Sequence, residues 1–309
     1  MTPTVSQTSK QWTPYIIFGL GTLAGSTGPI ILRMIQAEGI PSPIITAFRL
    51  VIASLVLTPF ILSRYKNEIA QMSRRDVLVA ITAGALFAIQ FTLNFESYRF
   101  TSILVAGVIS GIIPLWTAVL ERVVLRTRFP KVVWVGLALV VIGGILIGLS
   151  KGGAAPSIQE NILLGGGIGL ASTIVGAIYL IIGRSLRSHM AFIPYLWLVF
   201  LSAAVTAVIT AMVGGFSFTG YSANGYFWLL MGTLFPQLIA HGAFNYILAY
   251  LPATLISIAV QLVTVISAIA AFLVFQELPG PLQLVGSGII LVGVISAIIA
   301  QSRSKNPHG

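Results

Sequence analysis

The sequence predicts an all-α membrane protein with ten transmembrane helices, arranged as two inverted repeats of five helices. Three observations predict this fold class. Hydrophobic residues make up 57% of the chain and charged residues only 8%, whereas a soluble domain carries about 25% charged residues. The 309 residues divide into apolar segments of the length that a spanning helix needs, about 20 residues. The second half of the chain also repeats a pattern of the first.

Ten apolar segments with short connections are expected to span the membrane. The third and fourth are separated only by Arg99 and Phe100, and the eighth and ninth only by Tyr250 and Leu251, so each pair should form a tight helical hairpin. Such a division leaves no room for a sizeable soluble domain. The expected spans are 14–34, 43–63, 77–98, 101–122, 132–149, 161–183, 191–213, 224–249, 252–275 and 281–301.

An internal repeat relates the two halves of the chain. Residues 94–144 align with residues 245–294 at an offset of 151, which falls to 150 after a one-residue gap. Because each copy has five spans, the second copy enters the membrane from the opposite side. Many transporters use this design and hold the substrate near the bilayer midplane, between the copies. The aligned pairs include Asn94 with Asn245, Gly136 with Gly286, and Gly143 with Gly293, and the same offset of 151 places Gln90 opposite His241, just before the aligned ranges.

Glycines spaced four residues apart occur in four of the expected spans. A single pair says little, because glycine is common in membrane helices. Four pairs in different spans indicate helices that pack closely against their neighbours. The pairs are Gly21 with Gly25, Gly107 with Gly111, Gly144 with Gly148, and Gly165 with Gly169.

The basic residues indicate the orientation of the spans, because cytoplasmic loops are enriched in Lys and Arg. With a cytoplasmic N-terminus, thirteen of the seventeen basic residues fall in cytoplasmic segments and three in outer loops. We therefore expect a multi-pass protein of the cell (inner) membrane with both termini in the cytoplasm. The thirteen are Lys10, Arg64, Lys66, Arg74, Arg75, Arg122, Arg126, Arg128, Lys131, Arg184, Arg187, Arg303 and Lys305.

The domain organisation follows from the spans and their orientation. No small-residue cleavage site stands clearly after the first span, so we expect a retained helix rather than a signal peptide. The expected segments are a cytoplasmic tail at 1–13, a first repeat at 14–149, an external linker at 150–160, a second repeat at 161–301 and a cytoplasmic tail at 302–309.

Catalytic, metal and cofactor chemistry find little support in the sequence. No HExxH motif, paired intramembrane carboxylates or serine-nucleophile motif occurs. The seven acidic residues all map to loops or span ends, which disfavours a carboxylate cation site at the midplane. The absence of cysteine excludes disulfides and thiolate metal sites. We expect no enzymatic activity, no metal, no cofactor and no nucleic-acid partner, since the net charge of +10 reflects topology.

Polar side chains inside two neighbouring spans mark a candidate substrate site. Gln237, His241 and Asn245 recur at i, i+4 and i+8 in the eighth span, so they share one helical face. The ninth span carries a second polar stripe that includes Gln261. Pro236 removes a backbone donor beside this face and predicts a kink or bend in the eighth helix. The two stripes suggest a water-filled path through the bundle.

The third span has a corresponding polar face, formed by Gln90 and Asn94. Such amides can line a cavity, or they can bond a neighbouring helix. The same alternatives apply to His241, whose imidazole offers both a donor and an acceptor. The repeat places Gln90 and Asn94 opposite His241 and Asn245, which favours the cavity for Gln90 and Asn94 and leaves both alternatives open for His241.

Three further side chains have a functional and a structural interpretation. Trp116 and Tyr179 are suited to stack on a substrate ring or simply to pack in the core. Arg49 lies within the second span, where its charge is suited to meet an anionic substrate group. The alternative, which we favour for Arg49, is that it snorkels to the outer interface or pairs with Glu38 or Glu96.

The chain resembles the drug/metabolite transporter superfamily, and within it the two repeats of the EamA-type branch. The resemblance covers about residues 15–300. It implies a ten-helix, two-repeat permease for small metabolites that often acts outward, like the amino-acid exporters of this branch. The similar segments are 42–53 in the second span, 245–254 after the eighth, Phe275-Gln276-Glu277, and 283–286.

We therefore expect a secondary transporter, an exporter of small metabolites such as amino acids. It would work by alternating access around a central cavity between the inverted repeats. Its partners would be a small-molecule substrate and the lipid bilayer. The alternative is a non-transporting membrane scaffold or an intramembrane enzyme. The candidate substrate-binding residues are Gln90, Asn94, Trp116, Tyr179, Gln237, His241, Asn245 and Gln261.

Overall fold

The computed structural model describes residues 5–100, 109, 111–149, 162–275 and 280–305. All regular secondary structure in these ranges is helical, so the predicted all-α fold is confirmed. Two π-helical segments interrupt the α-helices, at Ile61–Tyr65 and Thr233–His241. The α-helices are α1 Val5–Ser26, α2 Gly28–Ala37, α3 Ser42–Phe60, α4 Lys66–Gln71, α5 Arg74–Phe100, α6 Ile113–Val124, α7 Lys131–Gly148, α8 Ile162–Arg187, α9 Phe192–Val213, α10 Ala223–Gly232, α11 Gly242–Ile247, α12 Ala253–Phe275 and α13 Pro281–Lys305.

The described helices account for the predicted membrane spans. Six helical stretches are long and apolar enough to cross a membrane, and three shorter apolar helices accompany them. The remaining predicted span, 101–122, lies partly outside the described residues, and α6 covers its last part. The six long stretches are Thr13–Ala37, Ser42–Gln71, Arg74–Asn94, Leu164–Arg187, Phe192–Val213 and Ala223–Ile247, and the shorter ones Lys131–Ile147, Ala253–Ser267 and Leu284–Ala300.

The two predicted hairpins have different outcomes. Helix α11 ends at Ile247 and α12 begins at Ala253, so the short turn expected at Tyr250 and Leu251 is present. Helix α5 includes both Arg99 and Phe100, so the turn predicted at these two residues is not there, and the residues that follow, 101–108, lie outside the described ranges.

The first span is a broken helix rather than the single helix predicted. Helix α1 ends at Ser26, and α2 begins at Gly28 with Pro29 in its first turn. Proline has no amide hydrogen, so regular helical bonding cannot continue through this point. The hydroxyl of Ser267 on α12 donates to the Ser26 carbonyl at 2.9 Å. A neighbouring helix therefore satisfies a backbone group at the break, as membrane interiors require.

Helices α7 and α13 form a seam of glycines that relates the two repeats. A Cβ added to Gly136 would lie 2.6 Å from the carbonyl oxygen of Gly293, and one added to Gly143 would lie 2.6 Å from that of Gly286. The contacts are reciprocal, because added Cβ atoms at Gly286 and Gly293 meet the carbonyls of Gly143 and Gly136. The helices therefore run antiparallel.

This reciprocity has a direct symmetry meaning. The sequence repeat makes Gly136 equivalent to Gly286, and Gly143 equivalent to Gly293. Gly136 meets Gly293, and their equivalents in the other repeat, Gly286 and Gly143, also meet each other. A reciprocal pair of contacts of this kind is produced by a two-fold axis. A two-fold relation between antiparallel helices is the one expected of the predicted inverted repeats.

Other predicted glycine pairs also lie at helix contacts. An added Cβ at Gly21 would lie 2.4 Å from the Cβ of Ala243, and one at Gly25 would lie 3.3 Å from that of Ala240. Between α5 and α8, Ser97 donates to the Gly165 carbonyl at 3.0 Å. Gly107 lies outside the described residues. The small residues thus let α1 pack closely against the π segment and α11, and α5 against α8.

Glu121 joins two helices at the end of the bundle where α6 ends and α12 begins. Its side chain is 1% exposed, although it lies at a span end as predicted. One carboxylate oxygen accepts from the Ala253 amide at 3.1 Å, and the other accepts from the Thr254 amide at 2.8 Å and its hydroxyl at 2.7 Å. An anion is favourable here because the first amides of a helix have no helical acceptor.

At the opposite end, a second carboxylate joins α2 to the start of α10. Glu38 accepts hydrogen bonds from the Ser222 hydroxyl and the Asn224 amide. These bonds hold the pKa of Glu38 below its ordinary value. Ser222 also caps α10, because its hydroxyl accepts from the Gly225 amide at 2.8 Å.

Candidate functional site

The candidate site is centred on Arg49, in the middle part of α3. Its Nη2 donates to the Oε1 of Gln237 at 3.0 Å, across the two repeats. Its guanidinium carbon lies 5.6 Å from the centre of the Phe91 ring, a cation–π distance. The Nε of Arg49 is buried and has no hydrogen-bond partner.

The structure corrects the interpretation that we favoured for Arg49. Glu38 is held by Ser222 and Asn224, and Arg49 forms no ion pair with Glu38 or Glu96 among the described residues. Arg49 does not reach for the interface either, because Gln237 holds its guanidinium within the bundle. A polar partner from the other repeat has thus kept the cation inside.

A narrow cavity lies beside this pair. It encloses about 160 Å³ of empty space and is lined by Thr46, Arg49, Leu50, Phe91 and Gln237. Sites for drug-sized ligands usually measure about 300–1,000 Å³. The described conformation is therefore closed around Arg49 and Gln237, and the cavity does not hold even a water-sized molecule.

A larger cavity, which encloses about 1130 Å³ of empty space by the same measure, lies elsewhere, between α3 and the end of α9. Its lining is apolar except for Ser217, so it lacks the converging polar groups of a solute site. The larger cavity is therefore less suited to bind a polar solute than the cavity beside Arg49. Its lining residues are Ala47, Phe48, Val51, Val208, Met212, Gly215, Phe216, Ser217 and Phe218.

The π-helical segment Thr233–His241 positions the polar residues from the second repeat. Pro236 lies in this segment, so the kink predicted there takes the form of a widened helix. Such π turns recur at functional sites. Pro236 also lies close to the break in the first span, since an added Cβ at Gly28 would meet its side chain at 3.5 Å. Two helix discontinuities therefore face each other beside the site.

Aromatic rings surround His241. The ring of Phe87 lies 5.1 Å from the imidazole, that of Phe91 5.8 Å and that of Phe244 6.1 Å, all edge to face. The described residues give the imidazole no hydrogen bond. His241 therefore forms part of an aromatic wall next to the Arg49 cavity, and the bond to a neighbouring helix that we considered is not observed.

Tyr179 and Asn245 lie in a separate, fully bonded cluster. The Oδ1 of Asn245 accepts from the hydroxyls of Tyr179 at 2.8 Å and Tyr195 at 3.0 Å. Its Nδ2 donates to the His241 carbonyl at 2.8 Å, and its own carbonyl accepts from the Nε of Arg187 at 3.3 Å. These bonds use the acceptor capacity of the amide, so the cluster holds helices together. A substrate contact from Tyr179 or Asn245 stays a prediction.

The other predicted residues lie at varying distances from this centre. The side-chain amide of Gln90 packs against α8, where an added Cβ at Gly176 would lie 2.7 Å from its Cδ. Asn94 is partly buried one turn further along α5. Trp116 has a buried indole nitrogen without a hydrogen-bond partner. Trp116 and Gln261 stand on α6 and α12, which pack together, and neither lines the Arg49 cavity. Their roles stay predictions.

Sequence reasoning missed Phe87 and Phe91. Both lie on α5, and Phe87 also contacts the ring of Tyr179 at 4.8 Å. Their i, i+4 spacing around Gln90 was a usable signal, because it places them on one helical face. Nothing local in the sequence indicated that Arg49 would be the residue opposite them.

Comparisons with known proteins identify the family. The family model described as EamA-like transporter family matches the chain twice, over residues 11–149 and 163–299. An uncharacterized transporter of Bacillus subtilis (strain 168), YdfC, is 21% identical over 257 residues, which are 83% of this chain and 81% of that protein. A solved crystal structure, described only as that of a protein, superposes with a TM-score of 0.77 at 14% identity. It covers 94% of this chain and 98% of its own, and it shows a shared fold.

These findings confirm the predicted resemblance. The double match agrees with two repeats, and the helices are those of a multi-pass membrane protein. The matched family is described as one of transporters. With matches over both halves, the chain belongs to the EamA-like transporter family.

Proposed function

We propose that this protein is a secondary transporter that exports small metabolites by alternating access between its two repeats. The observation that supports this most is the Arg49–Gln237 pair. Arg49 belongs to the first predicted repeat and Gln237 to the second, and both line one closed cavity. A buried polar site at the junction of two repeats is where transporters of inverted-repeat design bind their substrates.

The elements around the cavity are suited to rearrange. The broken first span and the π segment meet at Gly28 and Pro236, and neither has a complete α-helical hydrogen-bond ladder. Rocking of one repeat against the other would separate Arg49 from Gln237 and open the cavity. We propose that this separation admits the substrate from one side and releases it on the other.

The test is flux through purified protein in liposomes. Loaded vesicles with the protein in a known orientation should release a metabolite faster than protein-free vesicles, and a panel that includes amino acids identifies the substrate. Flux outward with respect to the native orientation supports export. Absence of flux for the whole panel contradicts a transporter and favours the scaffold.

His241 has its own test in the same assay. We expect His241→Gln to retain transport, because glutamine preserves a polar group beside the rings, and His241→Ala to lose most of it. Wild-type flux from both variants would remove His241 from the site.

The proposed location is the cell (inner) membrane with both termini in the cytoplasm. A cysteine at Asn67 should resist a membrane-impermeant thiol reagent in intact cells, and one at Ala155, outside the described residues, should react. The native chain has no cysteine to interfere. The reverse labelling pattern would invert the topology.

A further inference from the structure

The Arg49 site contains donors that no protein group satisfies. Arginine keeps its charge in proteins and can donate five hydrogen bonds. Only the bond to Gln237 is made here, and the Nε is buried without a partner. Buried polar groups are almost always paired, so an orphan of this kind calls for an explanation.

Gln237 adds a second unsatisfied donor to the same cavity. Its side chain is 1% exposed, and its Oε1 accepts from Arg49. Because the oxygen must face the guanidinium, the amide nitrogen faces away from it and is left buried without an acceptor. Flipping the Gln237 amide by about 180° would point its N–H donors at the N–H donors of Arg49, which is unfavourable. Both orphan atoms are thus donors, and the site lacks an acceptor.

The charge of the site is also uncompensated. The cavity is lined by Thr46, Arg49, Leu50, Phe91 and Gln237, none of them acidic. The described carboxylates with known partners are engaged elsewhere, Glu121 with α12, Glu38 with α10, and Asp76 with Ser73 and His189. Arg49 is half-buried and its Nε is fully buried, and a cation held inside the bundle without a counter-charge is costly. A ligand that brings both an acceptor and a negative charge would remove this cost.

The walls define the rest of the ligand. Phe91 is the aromatic ring that lines the cavity and lies under the guanidinium. The rings of Phe87 and His241 pack against Phe91 from outside the lining. Flat apolar groups pack well against such rings. A planar carboxylate also matches the planar fork of an arginine better than a spherical ion does.

We propose that the substrate is a small organic anion, with a carboxylate that binds Arg49 and Gln237 and a flat apolar body that packs on Phe91. This inference rests on the proposed function and names its substrate class. The proposed substrate carries a net negative charge, whereas an amino acid is a zwitterion with no net charge. The ammonium of an amino acid would find no carboxylate among the lining residues and would be repelled by Arg49.

The experiment compares three ligands that share a phenyl ring on a short chain and differ in charge. They are 3-phenylpropionate, phenylalanine and 2-phenylethylamine. Binding to the purified full-length protein is measured from the shift of its thermal unfolding midpoint across a ligand titration, because a ligand of the native state stabilises it by mass action. Sodium chloride and sodium phosphate at matched ionic strength control for inorganic anions. We expect 3-phenylpropionate to bind at least tenfold more tightly than the other two.

Two variants and a control locate the binding. Arg49→Gln should weaken 3-phenylpropionate binding by about tenfold to a hundredfold, the factor expected for one charge-assisted hydrogen bond. Gln237→Glu should abolish it, because the new carboxylate occupies the guanidinium, and should raise the midpoint of the ligand-free protein. Arg64→Gln removes an exposed charge from the π segment that follows α3 and should bind like the wild type.

The outcomes separate the two proposals. Equal binding of all three ligands, no binding of 3-phenylpropionate, an equal effect of chloride or phosphate, or wild-type binding by Arg49→Gln overturns the organic-anion inference. If 3-phenylpropionate binds through Arg49 but no carboxylate crosses the liposome membrane, the inference stands and the transporter function fails. If amines or amino acids cross the membrane at the same rate with wild type and Arg49→Gln, the transporter function stands and the organic-anion inference fails.

Discussion

Two charged side chains inside this protein, the buried Glu121 and the half-buried Arg49, have opposite surroundings. Glu121 is enclosed, and its two oxygens accept three hydrogen bonds from Ala253 and Thr254 at the start of α12. Arg49 has one such bond, and it leaves donors unsatisfied on itself and on Gln237. Protein groups thus supply the hydrogen-bond partners of Glu121. The hydrogen-bond donors of Arg49 are satisfied only in part, and Arg49 lies beside a cavity.

The difference suggests how the two charges contribute. A buried charge that the protein fully satisfies stabilises one arrangement of helices, and removing it leaves amides without an acceptor. A buried charge that the protein satisfies only in part adds little stability, since desolvation offsets the gain. Such a residue is best explained by something that binds it. The following predictions measure this contrast through the free energy of unfolding.

The largest loss of stability is expected for Glu121→Ala. The substitution leaves two buried amides and a hydroxyl without their acceptor, which should lower the free energy of unfolding by about 3 kcal/mol. Unfolding of the purified protein in mixed micelles by increasing fractions of a denaturing detergent measures this change. Glu121→Gln, which keeps one acceptor oxygen, should lose less. If Glu121→Ala unfolds like the wild type, Glu121 is not a structural charge.

A smaller loss is expected for Asn245→Ala, in the bonded cluster beside the site. It removes the acceptor shared by Tyr179 and Tyr195 and should cost about 2 kcal/mol in the same unfolding assay. Tyr179→Phe, which keeps the ring and removes one donor, is the matched control and should cost less than Asn245→Ala. An unchanged Asn245→Ala that has also lost its transport would move Asn245 from the scaffold to the binding site.

Glu38 offers an exposed carboxylate for comparison, and its effect should be smaller still. Its pKa is lowered by the bonds from Ser222 and Asn224. A lowered pKa stabilises the folded state above the ordinary Glu pKa of about 4.3, and this contribution is lost as the pH falls through the folded-state value. Wild type and Glu38→Gln should therefore converge in stability at acidic pH. A difference that does not change with pH would rule out this account.

The smallest change in stability is expected for the double variant Arg49→Met, Gln237→Leu. It removes both partners together and leaves no orphan group, so the free energy of unfolding should stay within about 1 kcal/mol of the wild type or rise. Transport should nevertheless be lost. A loss of stability comparable with that of Glu121→Ala would show that the two charges do the same structural work, and the contrast between them would disappear.

Much of the fold was predictable because its determinants are local. Apolar segments of spanning length and the spacing of glycines depend only on the order of residues, and both led to helices and contacts that the structure contains. Even the pairing of α7 with α13 rests on glycines that the repeat alignment had matched, Gly136 with Gly286 and Gly143 with Gly293. The break at Pro29 was missed. A proline in an apolar segment does not show from the sequence whether a neighbouring helix can bond the backbone carbonyls left without a helical partner.

The composition and the repeat by themselves determined that this protein is an all-α membrane protein of two related halves. Only the tertiary structure decided the partner of Arg49. Glu38 and Glu96 were the sequence candidates, yet Gln237, 188 residues away along the chain, holds the guanidinium. The physical reason is that a hydrophobic pattern specifies which faces are buried but not which helix each face meets. Which helix packs against which face decides what partner a buried charge finds, and it therefore also decides where the binding site lies.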